Sequence, residues 1–182
     1  LGGWEMCKRD RPGAFEPSEA IVSTPPYSIK WPGDSDPVLI GDPRFAPAGV
    51  LAPKSAADLA FTMHILHWLA VDGTAAIVEF PGVLYRGGAE QKIRKYLVDN
   101  NYIDTVIQLP PDLFFGTGIA TCIIVLKKSK KTNDVCFIDA SKLFTRVGNK
   151  NKLLAEHRDR IIEVFTERAD ACLLYTSDAA DD

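Results

Sequence analysis

No run of 18 apolar residues, the length that spans a bilayer, occurs in this sequence, and its opening "LGGWEMCKRDRPG" lacks the basic-then-apolar order of a secretory signal. No membrane partner is expected, and the reading is cytoplasmic. Cysteine is scarce. Cys7, Cys122, Cys136 and Cys172 stand far apart with no C-x-x-C pair, which argues against a zinc ribbon or a disulfide framework. Cys122 lies inside the apolar run "TCIIVL", where a buried thiol is expected. His64 and His67 have a helical spacing seen in metal sites, but no carboxylate is placed with them, so a packed or surface pair is the reading. "DSD" at Asp34 and Asp36 opens like a calcium loop, yet Val38 and Leu39 stand where a ligand and a glycine are required. No metal is expected.

What remains is an ordinary globular composition: 182 residues, 46% hydrophobic and 25% charged, enough for one core. The net charge of −3 owes much to the end of the chain, where "CLLYTSDAADD" carries three Asp and no Lys or Arg. That stretch follows a helical pattern without continuing it and reads like an in-frame sequencing adapter, so residues 171–182 are set aside from the fold. Residues 127–152 go the other way, with eight Lys/Arg against Asp134 and Asp139; this surplus fits either a solvated basic face or a surface that meets phosphates.

Between the ends, apolar runs alternate with helical patterns, as in an α/β sheet. Strands are predicted at 19–23, 74–80, 103–110, 121–128 and 135–141, and their near-continuous apolar content points to a mostly parallel sheet covered by flanking helices. A first helix is predicted to open at Ser55, with Ser55 and Asp58 as a capping box and Leu59, Met63, Leu66 and Ala70 inward, and to close at Asp72-Gly73. A second follows Gly87-Gly88, with Ile93, Tyr96 and Leu97 inward. A third, "LAEHRDRIIEVFTER", carries Ile161, Ile162 and Phe165 as its stripe. The 31 residues from Pro25 to Ser55 hold seven prolines, and a connection that long is expected to be functional or mobile. In sheets of this kind ligands gather at the carboxyl ends of the strands, and two such ends here read "STPPY" and "PPDLFFGTG".

Four blocks in order, "VSTPPYSIKW", "FPGVLYRGG", "EQKIRKYLV" and "LPPDLFFGTGIATCIIVLKKSKK", resemble the modification subunit of type I restriction-modification systems, an adenine-specific DNA methyltransferase. The resemblance covers residues 19–170. It implies the C-terminal half of a Rossmann-like, S-adenosylmethionine-dependent methyltransferase domain, with residues 1–18 an undetermined lead-in. It also implies double-stranded DNA as substrate, and a specificity subunit and a restriction subunit as partners.

The first block carries the chemistry. An exocyclic adenine amine is a poor nucleophile because its lone pair is delocalised into the ring, so acceptors must take its hydrogens and let the nitrogen become tetrahedral. The family places Asn-Pro-Pro-Tyr or Asn-Pro-Pro-Phe there, with the Asn and the first proline's C=O as acceptors. This sequence has Thr24, Pro25, Pro26 and Tyr27. The prolines hold the acceptors in place, and Tyr27 gives a face on which a flipped base stacks. Thr24 is a shorter, branched acceptor that also competes as a donor. Phe114 or Phe115 is expected to flank the base from the other side. Arg86 and the glycine pair sit at a helix start, suited to an anion or to simple capping. Lys30, Arg86, Lys127 and Lys128 are candidate phosphate contacts.

The Gly-rich turn and ribose-binding acid that such an enzyme uses for its cofactor are not seen, so the chain reads as an internal fragment, inactive alone, whose first strand exposes an apolar edge and lowers solubility. Two other functions stand beside the main one. An N-methyltransferase acting on RNA or protein glutamine shares Pro-Pro-Tyr motifs, and a non-catalytic DNA-binding or scaffolding subunit would tolerate Thr24.

Overall fold

A computed structural model describes residues 16–168. Cys7, Gly2-Gly3, most of the lead-in, Cys172 and the acidic tail lie outside the described residues. The elements follow as β1 (Ser18–Ser23), α1 (Asp58–Trp68), β2 (Leu69–Glu79), α2 (Ala89–Asp99), β3 (Ile103–Gln108), β4 (Cys122–Lys127), β5 (Cys136–Asp139), β6 (Thr145–Val147), β7 (Lys150–Lys152) and α3 (Ala155–Glu167).

The main sheet has the order β1-β2-β4-β3-β5. β1 runs parallel to β2 and β3 parallel to β5, whereas β4 is antiparallel to both its neighbours. The sheet is therefore mostly parallel, as expected, with one reversed strand. The reversal has a local cause. Only residues 109–121 join β3 to β4, with no helix among them, and such a link closes a hairpin more readily than a crossover. Gln108 thus faces Cys122, and on the other side Cys122 faces Glu79.

Alternation along the strands divides the core. Ala75 and Ile77 of β2, Val106 of β3, and Cys122, Ile124 and Leu126 of β4 meet Leu59, Met63 and Leu66 of α1 and Ile93 and Leu97 of α2. Ile107, Ile123, Cys136 and Ile138 point to the opposite face, where Ile161 and Val164 of α3 cover them. That face of β1 has no such cover among the described residues, and Val22 is 84% exposed there.

Three local expectations are corrected. α1 begins at Asp58, not Ser55, because Asp58 is drawn to a partner outside the helix (below) and does not complete a capping box. α1 also ends earlier: Leu69 already pairs with Ser18, and β2 reaches Thr74 through an irregularity in the ladder, so Ala70 and Asp72-Gly73 belong to a strand. Gly73 permits this, since a Cβ there would lie 2.9 Å from the Ser18 carbonyl oxygen and 3.0 Å from that of Glu19. On α3 the stripe is Ile161 and Val164 with Phe165 beside them, while Ile162 faces solvent, because the helix presents i and i+3 to β5. The β6–β7 hairpin was not anticipated.

Candidate active site

β1 ends at Ser23, and the chain passes at once into Thr24-Pro25-Pro26-Tyr27 at the carboxyl edge of the sheet. Thr24 and Pro26 are exposed, Pro25 is buried and Tyr27 is half-buried. The exit is fastened on its far side. Ser28, at a left-handed φ of 49°, donates its N–H to Asp58 Oδ1 at 2.9 Å, and Ala57 N–H donates to Ile29 C=O at 3.0 Å. Trp31 then donates its backbone N–H to Lys54 C=O at 3.1 Å and its indole N–H to Pro53 C=O at 2.9 Å. Its ring tilts against Phe45, which stacks on His64 of α1 at 5.5 Å. The long proline-rich connection is thus packed onto α1, with Asp34 paired to Lys54 and Asp36 capping the Val38 N–H.

The neighbouring strand ends supply buried polar groups. Glu79, the last residue of β2, is fully buried; Thr62 of α1 donates to its Oε1 at 2.8 Å, and its Oε2 has no hydrogen-bond partner. Burial pushes the Glu79 carboxyl up to about 8 against the lowering effect of Thr62, with Asp58 and Glu90 adding repulsion. Asp58 Oδ2 and Thr121 Oγ1 are likewise buried without a partner. Glu90, in the first turn of α2, is 4% exposed, and its nearest cation is Arg86, 3.7 Å away. Burial raises its pKa, opposed chiefly by Arg86. Burial, then Glu79, then Cys122 raise the Tyr27 phenol, so these residues share one low-dielectric corner. The Cys122 thiol donates to Glu79 C=O at 3.6 Å and is pushed up to about 12 by burial first, then by Glu79. At neutral pH this corner presents a protonated carboxyl and a thiol, neither of them a nucleophile. Sequence reasoning missed it. The signal was an acid closing an apolar strand, "TAAIVEF".

Other predicted residues separate clearly. Lys30 is exposed just past Tyr27, at the same edge. Arg86 also lies there, its guanidinium 5.0 Å from the centroid of the Phe80 ring; Gly82 beneath leaves room, since a Cβ would come within 2.7 Å of Arg86 Nε. The buried Glu90 in the same turn makes the start of α2 poorly suited to an anion. Lys127 and Lys128 stand at the opposite end of the sheet, because β4 runs backwards and Lys127 pairs with Thr74, the residue five positions before Glu79. Lys127 is 3.4 Å from buried Asp104 and lies over the Phe165 ring, and Lys128 Nζ donates to Leu69 C=O. The basic run is thus split, with Lys142, Arg146, Lys150 and Lys152 left on the carboxyl side. Phe114 packs into the core beside α3, whereas Phe115 is 96% exposed at the tip of the β3–β4 loop. His64 and His67 make ring contacts with Trp68. Among the described residues no group of three or more His, Cys, Asp or Glu could hold a metal ion, and no helix is long and apolar enough to cross a membrane.

The family profile described as "N-6 DNA Methylase" matches residues 6–181. The chain belongs to the N-6 DNA methylase family. It is 53% identical over 151 residues to the type I restriction enzyme MpnII methylase subunit of Mycoplasma pneumoniae, a match over 82% of this chain and 28% of that protein. Among solved structures, the type I restriction-modification system methyltransferase subunit from Streptococcus thermophilus superposes with a TM-score of 0.83 at 42% identity, covering 87% of this chain and 34% of that one. A modification subunit of a putative type I restriction enzyme from Vibrio vulnificus shares the fold, with a TM-score of 0.64 at 18% identity over 86% of this chain and 32% of that one. The chain therefore spans about a third of the length of these relatives or less.

Proposed function

We propose that this methylase chain is the base-accepting half of a catalytic domain whose full-length form transfers a methyl group from S-adenosylmethionine to the exocyclic amine of adenine in double-stranded DNA. In that form it serves as the modification subunit of a type I complex, beside a specificity subunit and a restriction subunit. The observation that carries the reading is the Thr24–Tyr27 turn, pinned to α1 through Asp58 at the carboxyl edge of the sheet.

In this mechanism the target base leaves the duplex and stacks on Tyr27, with Phe115 as a second aromatic contact. Thr24 Oγ1 and the Pro25 carbonyl accept the amine hydrogens, and the proline pair holds them in place beforehand, so little reorganisation accompanies reaction. Lys30 contacts a phosphate and fixes the strand without reading it, whereas Arg86 is held by Glu90 and the Phe80 ring. Lys127 and Lys128 have no part in this, being engaged at the far end of the sheet.

β1 is an outermost strand among the described residues, and the glycine pair that opens α2 after its neighbour β2, Gly87-Gly88, stands beside the buried Glu90 and is poorly suited to an anionic ligand. The reading therefore assigns to this chain only the handling of the base.

Thr24 in place of the family's Asn favours a second reading, a DNA-binding or scaffolding subunit without turnover. A chimera separates the two: residues 19–168 replace the matching stretch of an active type I methylase subunit, and tritiated methyl transfer to cognate DNA is measured. Turnover above background that is abolished by Tyr27→Ala supports the enzyme. Cofactor and DNA binding without turnover, in Thr24 and Thr24→Asn forms alike, supports the scaffold.

A further inference from the structure

The β6–β7 hairpin is too small to stand alone, since an isolated two-stranded hairpin is marginal in water, and its residues make their contacts with the β3–β4 loop. Asn151, 6% exposed, donates its side-chain N–H to Pro111 C=O at 2.9 Å and its backbone N–H to Asp112 C=O at 3.1 Å. Arg146 bridges Asp112 Oδ2 and Asn151 Oδ1, both at 3.1 Å. Lys150 Nζ donates to Phe114 C=O at 3.0 Å and to Thr117 C=O at 3.1 Å, gripping the chain on both sides of Phe115. The base of the loop is closed by Leu109 N–H to Thr121 C=O at 2.9 Å.

Phe115 has almost no contact surface of its own, so the direction of its ring depends on the backbone at 114–117. We propose that the hairpin is a strut for this loop and that Lys150, with Asn151 and Arg146, is a positioning residue for the Phe115–base contact; this rests on the function proposed above. An ammonium with three donors suits the task, because one group can hold two carbonyls that diverge around a bend, and charge-assisted bonds are the stronger kind. Lys150 is thereby occupied with the protein, and its contribution to nucleic-acid binding is through Phe115, not through a phosphate.

The test uses the full chain. Amide hydrogen exchange is followed across residues 113–118, and quenching of 2-aminopurine in a single-stranded DNA oligonucleotide reports the aromatic contact. Lys150→Met is expected to speed exchange in the loop about tenfold, the effect of losing a charge-assisted bond, with α1 and α2 unchanged. It is also expected to lower quenching to the level of Phe115→Ala. Lys150→Arg, which keeps the charge and two or more donors, restores both. Arg146→Gln, at an exposed position, gives a smaller acceleration of about threefold. Unchanged exchange in both Lys150→Met and Arg146→Gln overturns the strut. Faster exchange with quenching still at the parent level, while Phe115→Ala loses it, overturns the positioning role. Quenching that Phe115→Ala leaves intact overturns the base contact itself, and the exchange data then show separately whether the hairpin holds the loop.

Discussion

Thr62 reaches from α1 to give its hydroxyl hydrogen to Glu79, 2.8 Å away, at a strand end that water does not touch. The carboxyl is held protonated up to about 8, chiefly by burial. An unfolded chain loses that proton near 4.5, so between those values the unfolded state binds fewer protons and stability falls as pH rises. The loss over the window is roughly 3–5 kcal/mol. Glu79→Gln keeps an acceptor for Thr62 and has no proton to lose. Urea unfolding at several pH values should show the parent weakening relative to this variant as pH rises toward 8, with Gln the more stable at the upper end; parallel profiles would sink the assignment.

On the proposed function, a longer acceptor at the Thr24–Tyr27 turn should raise turnover. In the chimera, Thr24→Asn is expected to increase the rate constant for methyl transfer by about a hundredfold to a thousandfold with little change in DNA affinity, since a well-aimed acceptor acts on the transition state. Equal rates for Thr and Asn would mean that this turn accommodates the threonine hydroxyl as the acceptor.

The two adjacent phenylalanines should part company. Phe115→Ala, at a 96% exposed position, is expected to leave the melting temperature unchanged and to weaken binding of single-stranded DNA by about 1–3 kcal/mol. Phe114→Ala, which packs beside Ile107 and Ile161, is expected to cost about 1–3 kcal/mol of stability. Calorimetry and fluorescence titration on the same pair decide it; a binding loss confined to Phe114→Ala would reverse the roles.

Asp104 is 2% exposed and paired with Lys127 and Arg168. Burial would raise its pKa, but the Thr105 hydroxyl and these cations prevail and hold it below the usual carboxylate value. Its contribution is therefore present above that value and lost as pH falls through the lowered one. Lys127→Met should destabilise the chain, by about 1 kcal/mol, and leave the salt dependence of DNA binding unaltered, whereas Lys30→Met should reduce that salt slope by about one unit. A slope change with Lys127→Met alone would restore it to the nucleic-acid surface.

The central strands were legible because "VIQL" and "CIIVL" carry the continuous apolar content that two-sided burial demands, whereas the junction of α1 with β2 was not, since Leu69 pairs with Ser18 far back in the sequence. The direction of β4 was not, because periodicity is blind to polarity; the short helix-free link after Gln108 was the available clue. The position of the Thr24–Tyr27 turn at a strand end could be read from Pro25, Pro26 and Tyr27. Its support could not, since Asp58 looked like a helix cap and its partner, the Ser28 N–H, is 30 residues away. Charge counting could not show how residues 127–152 are distributed, because one reversed strand carries Lys127 and Lys128 to the end of the sheet opposite Lys150.

That reversal also makes residues 109–121 a self-contained insert. Both of its ends leave from adjacent strands and close on each other through Leu109 and Thr121, so a change in its length does not propagate into the register of the sheet. The aromatic tip can therefore be exchanged as a cassette, together with the hairpin that grips it, while the turn bearing Tyr27 stays fixed between β1 and α1.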